Sequence, residues 1–171
     1  MDRLARRVAE LRETGVTEAV RAALERDVVE LEKARAARLK AVDTSALVAI
    51  ILTELEADQY VSAIEGASAA AISAVSVFEA ETVLAGRRDD RVARRVRQLI
   101  ESWSIRIQPF DEAQAGLASA AYARFGKGRH PARLNMGDCA AHALAKSLDA
   151  PLLYKGEDFA RTDMASALTP G

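Results

Sequence analysis

The sequence predicts an α/β fold with a mainly parallel central sheet flanked by helices, preceded by an α-helical appendage. Three observations carry that expectation. From about residue 41, short apolar stretches alternate with amphipathic helical periods, the pattern of βαβ units. Acidic residues recur just after the apolar stretches, where strands give way to helices. Residues 1–40 differ in texture, being rich in Arg, Glu, Ala and Leu, so the expected division is 1–40 and 41–171.

Composition sets the bounds. The 171 residues suffice for one domain with a real core and an appendage. Half are hydrophobic and 5% aromatic, which favours helices. A formal net charge of -1 supplies no global polycation, so nucleic-acid binding would have to rest on local patches. Cys139 is the one cysteine and rules out an internal disulfide, in keeping with a reducing compartment. The start, Met1-Asp2-Arg3-Leu4-Ala5-Arg6-Arg7, lacks the apolar core of a signal peptide, and the longest apolar run, Ala46 to Leu52, is too short to span a bilayer. A cytoplasmic protein without a membrane segment is expected.

In the appendage, Leu4, Val8 and Leu11 fall at helical spacing. Gly15 suits a left-handed helix end, and Thr17 suits the N-cap of a second helix with Glu18 near its positive end. Val20, Leu24, Val28 and Leu31 recur on one face of that helix, which reads as running on to Lys40. Two such helices cannot bury their own apolar faces and need a partner.

The remaining elements follow in order. A strand over Lys40–Asp43 leads into a helix from Ser45, and a further helix spans about Glu54–Gly66. Ala70–Ser73 is a short buried strand, followed by a helix over Ser76–Leu84 that Gly86 and Asp89-Asp90 punctuate. Arg91–Trp103 is an amphipathic helix, and Ile105–Pro109 a strand closed by its proline. Asp111 caps a helix reaching about Phe125. Gly126–Pro131 is a loop, Gly137–Leu148 a helix and Pro151–Tyr154 a strand. Gly156 turns into a helical piece, Glu157–Arg161, and residues 167–169 form a last edge strand.

Asp43, Glu79, Asp138 and Asp158 can converge at one edge of such a sheet. Carboxylates at close range repel unless a hard cation lies among them, and Mg²⁺ or Mn²⁺ suits oxygen-only ligation. Each acid also has a plainer reading as a helix cap, with Asn135 a rival cap to Asp138 and Glu157 and Asp163 rivals to Asp158. Glu81 points away from Glu79 on a helix. Arg87-Arg88 and the arginines of 91–97 read as a solvated face. His142 reads as a packed or partnered histidine, Cys139 as a small buried filler, and Trp103 and Phe110 as core or dimer packing.

The local words sharpen this. Val42-Asp43-Thr44-Ser45-Ala46-Leu47, Ile72-Ser73-Ala74-Val75-Ser76-Val77-Phe78-Glu79-Ala80, Arg124-Phe125-Gly126-Lys127-Gly128-Arg129-His130-Pro131, Leu134-Asn135-Met136-Gly137-Asp138-Cys139 and Leu152-Leu153-Tyr154-Lys155-Gly156-Glu157-Asp158-Phe159 resemble, in order and spacing, the PIN-domain ribonucleases of VapC type, toxins of bacterial toxin–antitoxin pairs. The resemblance covers 41–171. It implies a PIN-like fold and an Mg²⁺- or Mn²⁺-dependent endoribonuclease whose acidic quartet is Asp43, Glu79, Asp138 and Asp158. Thr44, Ser45, Ser76 and Asn135 would support the carboxylates, with Asp163 a possible further acid. Lys127, Arg129, His130 and Arg133 form a basic loop that could hold RNA phosphates or be simply solvated. An RNA substrate, a cognate VapB-type antitoxin and a homodimer are the implied partners, with DNA bound only through an antitoxin.

The stretch from Leu4 to Arg26 resembles the helices of VapB-type ribbon-helix-helix antitoxins, without the DNA-reading strand or the toxin-covering tail. The chain thus reads as an antitoxin fragment fused to a toxin, expected to dimerise without binding DNA. The alternative is an inactive or self-inhibited fusion that acts as a binding or regulatory module.

Overall fold

The computed structural model describes residues 2–11, 16–36, 39–87 and 90–168. It divides into two compact units, Met1–Ala37 and Arg38–Gly171.

The first unit is a pair of helices, α1 (Asp2–Leu11) and α2 (Val16–Ala36), packed on one another. The predicted turn at Gly15 lies outside the described residues. Helix α2 starts at Val16, so Thr17 sits in its first turn rather than capping it, with Glu18 beside it at the positive end. The helix is described to Ala36; Leu39 lies outside any helix and Lys40 opens a strand, so the helix does not reach Lys40. Its predicted apolar stripe is exposed, Val20 at 38%, Leu24 at 59%, Val28 at 50% and Leu31 at 68%, whereas Ala19 beside it is buried.

The second unit is built on four parallel strands: β1 (Lys40–Val42), β2 (Ala70–Ser73), β3 (Arg106–Gln108) and β4 (Leu152–Leu153), in spatial order β3-β2-β1-β4. Helices α3 (Thr44–Ile51) and α4 (Ala57–Glu65) follow β1, α5 (Ala74–Arg87) and α6 (Asp90–Ser102) follow β2, and α7 (Glu112–Phe125) and α8 (Met136–Ser147) follow β3. The alternation of side chains along each strand sorts them between two cores. Val42, Ile72 and Leu153 join Leu47, Leu84, Val96 and Ile100 on one face. Ala41, Ala71 and Leu152 meet Phe125, Leu134, Leu144 and Phe159 on the other. Both faces of the sheet are therefore covered over β1, β2 and β4, which are buried throughout, whereas the edge strand β3 (Arg-Ile-Gln) is largely exposed. Each fully buried leucine contributes about 1.5–3 kcal/mol of transfer free energy.

Several boundaries move. Thr53 takes a left-handed φ of 55° that turns the chain after α3, so α4 begins at Ala57 and Glu54 lies in the turn. Helix α5 runs from Ala74 through Gly86, which does not interrupt it. The expected edge strand at 167–169 reduces to a single parallel bridge between Leu152 and Ser166. Asp111 caps α7 as the sequence predicts, its side chain accepting from Gln114 N at 2.9 Å. Trp103 packs against the first core, whereas Phe110 is 38% exposed. Among the described residues no helix is long and apolar enough to cross a membrane.

Candidate active site

Strand order places the site. After β1 the chain builds β2 and β3 on one side, then crosses to lay β4 on the other. The sheet's topological switch point is thus between β1 and β4, and the crevice beyond their carboxyl ends is the place where open α/β sheets bind ligands. Asp43 follows β1. Its N–H donates to Leu153 O of β4 at 2.9 Å, which fixes the residue at the crevice floor.

Asp43 is both a helix cap and a site residue. Its Oδ2 accepts from Ser45 N at 2.9 Å, capping α3, and also from Ser45 Oγ. Its Oδ1 is buried without a hydrogen-bond partner. Burial pushes the carboxyl pKa up, the two Ser45 bonds oppose this, and the nearby charge of Glu79 adds to it. Ser45 Oγ in turn accepts from Lys155 N at 2.9 Å, so one hydroxyl ties the ends of β1 and β4 together.

Glu79 comes from α5. Thr44 Oγ1 donates to its Oε2 at 2.7 Å and lies 3.2 Å from Ser76 O. The carboxylate rests against the first turn of α8, where only Gly137 leaves room: a Cβ there would fall 2.6 Å from Glu79 Cδ. The sequence showed Gly137 merely as a helix start; its role as clearance for Glu79 needs the coordinates.

Asp138 is held by a reciprocal cap. Asn135 Oδ1 accepts from Asp138 N at 3.1 Å, and Asp138 Oδ2 accepts from Asn135 N at 2.7 Å. Burial lifts the Asp138 carboxyl to about 6, and the charges of Asp43, Glu79 and Asp158 add to the shift against the Asn135 bond.

A cleft of about 300 Å³ brings Asp43, Glu79 and Asp138 together with Thr44, Ser45 and Asn135. It also takes in Glu54 and Lys155, which the sequence reading did not select. Lys155 could have been found: it follows a strand as Asp43 does. Glu54 followed no strand and stood only as the first residue of an expected helix.

The other selected residues lie elsewhere. Asp158 is exposed at the start of the turn Phe159–Arg161 and does not line the cleft, although its charge reaches Asp138. Asp163 pairs with His142 Nε2 at 3.0 Å, Arg124 Nη1 at 3.0 Å and Lys146 Nζ at 3.2 Å. Ser76 faces Thr44 with its carbonyl, and its buried Oγ makes no hydrogen bond. In the basic loop Lys127, Arg129 and Arg133 are exposed. His130 packs edge-on against Phe125, and its Nδ1 accepts from Ala132 N at 3.1 Å. Arg129 lies over the Tyr122 ring at 5.8 Å.

The donor set suits a hard divalent cation. Of the four carboxylates that line the cleft, Asp43, Glu79 and Asp138 pair with no described lysine, burial pushes the pKa of Asp43 and Asp138 up, and a buried carboxylate oxygen of Asp43 has no partner. Among the described residues no three His, Cys, Asp or Glu side chains stand in a closed set around one point. The fit is therefore one of donor chemistry rather than of a finished coordination shell.

Comparison with known proteins agrees with this geometry. The PIN domain family model matches residues 40–164. Ribonuclease VapC28 of Mycobacterium tuberculosis is 45% identical over 128 residues, 74% of this chain and 96% of that protein. Ribonuclease VapC30 of the same species is 38% identical over 129 residues, 75% of this chain and 98% of that protein. A crystal structure of M. tuberculosis VapC20, described as a sarcin-ricin loop cleaving toxin, superposes with a TM-score of 0.62 at 15% identity, covering 74% of this chain and 96% of that one. The fold is thus that of the PIN domain. Within that class, the chain belongs to the VapC ribonucleases, the toxin nucleases of toxin–antitoxin systems.

Proposed function

We propose that the cleft is the catalytic centre of an Mg²⁺- or Mn²⁺-dependent endoribonuclease that hydrolyses RNA phosphodiester bonds. The observation that carries this reading is the buried, unpartnered Oδ1 of Asp43 at the switch point, beside the carboxylates of Glu79 and Asp138. An anion in that position is costly unless a cation meets it. Asp43, Glu79 and Asp138 would hold the ion, with Asp158 at the margin. Such an ion supplies an activated water and offsets charge on a phosphate in flight.

The chain's own contribution is orientation. Ser45 fixes one oxygen of Asp43 and leaves the other for ligation. Thr44 sets Glu79, and Asn135 occupies one oxygen of Asp138 so that the second remains for an ion or a proton. Water hydrolysis with the 3′-oxygen leaving gives 5′-phosphate and 3′-hydroxyl ends. Lys127, Arg129, His130 and Arg133 are the proposed RNA contacts of the rim, and Asp163 acts on α8 from outside the cleft. Asp43→Asn should abolish RNA cleavage in the presence of Mn²⁺ while leaving the circular dichroism spectrum unchanged. Cleavage by that variant at the wild-type rate would refute the assignment.

Residues 1–40 are proposed to be an antitoxin-like helical segment fused to the nuclease at 41–171. A cognate VapB-type antitoxin, homodimerisation, DNA contact only through that antitoxin, and a cytoplasmic location complete the reading. The exposure of Leu24 and Leu31 on α2 favours a second one, in which these helices associate between copies and restrain the nuclease.

A further inference from the structure

The cleft is lined by four acids, Asp43, Glu54, Glu79 and Asp138, and among its described lining residues by one cation, Lys155. RNA brings a negative phosphate to this acidic place, so a positive contact beside the cleavage centre has electrostatic work to do. Lys155 stands at the end of β4, across the switch point from Asp43. Its ammonium lies 2.6 Å from Glu54 Oε2 and 3.2 Å from Glu56 Oε2, both in the turn between α3 and α4. These two carboxylates keep Lys155 firmly protonated.

We propose that Lys155 is a phosphate-binding residue of the cleft, which exchanges the Glu54–Glu56 fork for a nonbridging oxygen of the RNA phosphodiester. The inference rests on the ribonuclease reading of the cleft. The fork is well suited to release. All three side chains are between a third and half exposed, at 37% for Lys155, 33% for Glu54 and 42% for Glu56. Ion pairs so exposed add little to stability, so trading a carboxylate for a phosphate is nearly balanced. The pairing thus keeps the Lys155 ammonium at the cleft, next to the acids, without committing it to them.

The residue has two separable roles. Its backbone N–H donates to Ser45 Oγ, which holds Asp43. Its side chain carries the charge. Lys155→Ala removes the second and keeps the first, so the Asp43 geometry survives the substitution.

The test uses the full chain in an Asp43→Asn background, with Mn²⁺ present and a fluorescein-labelled single-stranded RNA of mixed sequence as the probe. Kd is measured across a series of KCl concentrations. Adding Lys155→Ala should weaken binding and lower the slope of log Kd against log salt by about one. Lys155→Arg should retain the slope. Glu54→Gln with Glu56→Gln should tighten binding by freeing the ammonium. In the cleaving protein Lys155→Ala should raise KM more than it lowers kcat. An unchanged slope in Lys155→Ala overturns the proposal, and if the thermal midpoint falls at the same time, Lys155 is a clamp between β4 and the α3–α4 turn. That result leaves the ribonuclease reading standing. RNA bound by none of these proteins overturns both.

Discussion

Asp43 satisfies two demands with its two oxygens. One caps α3 through Ser45, and the other is buried with nothing to bond. A capping explanation alone would leave the second oxygen unexplained. Asp138 is built the same way, with one oxygen taken by the backbone of Asn135. Its folded pKa, about 6, lies above the ordinary 3.8. The folded chain therefore binds this proton more tightly than the unfolded chain does. In the absence of divalent ions, stability should fall as pH rises from about 4 to about 6, by an amount on the order of 3 kcal/mol, and stay lower above that range. Urea midpoints in EDTA at about pH 5 and about pH 7 should show the drop, and Asp138→Asn should flatten it. Excess Mn²⁺ should restore stability at neutral pH, because ligation favours the carboxylate. At this scale the sequence revealed which carboxylates to suspect, because each sits in a strand-end or helix-start word. It did not reveal Gly137 as clearance or Lys155 as the cleft's cation, because neither property is local. Both depend on what another element places opposite.

Helix α8 serves two structures from one surface. Its first turn holds Asp138 and gives way to Glu79, and its next turn carries His142 into the second core. His142 is 5% exposed, its ring 5.7 Å from that of Phe125. Burial pushes its pKa down, against the pull of Asp163. Asp163, with Arg124 of α7 and Lys146 of α8 on the same carboxylate, pins the C-terminal segment to these helices. Asp163→Ala would leave Nε2 of His142 as unpartnered as its Nδ1 already is. We expect a loss of about 1–3 kcal/mol in urea unfolding, with the RNA-cleaving turnover of the folded fraction changed far less than by Asp43→Asn. The sequence spacing gave His142 as packed or partnered, which the clamp bears out. It suggested Asp163 for the acidic site, whereas that carboxylate is drawn to two cations, Arg124 and Lys146, and to the His142 ring. Elements with caps written into the sequence, such as α7 behind Asp111, were legible to the residue. The α3–α4 turn was not, because Thr53 adopts a left-handed conformation that its type does not advertise.

Over the whole chain, the parallel sheet was legible from the alternation of apolar runs and helical periods, and the strand order was not, since periodicity carries no information about neighbours. The two helices before the nuclease pose a question of their own. Leu24 and Leu31 are exposed on α2, and an unpartnered apolar stripe favours association. Sedimentation should show the full chain more associated than residues 39–171 alone, and the shorter protein should cleave RNA at least as fast. Equal sedimentation of the two would remove the restraint reading.

The bond from Lys155 N to Ser45 Oγ spans 110 residues of sequence. Strand β4, which abuts β1 and completes the crevice, follows Asp43, Glu79 and Asp138 in the sequence. A growing polypeptide carries Asp43 and Glu79 well before it can close the cleft around them. Pairings of such long range also form late in folding. The acids of the cleft thus precede in sequence the strand that walls them in, and the site is complete only once β4 has paired with β1.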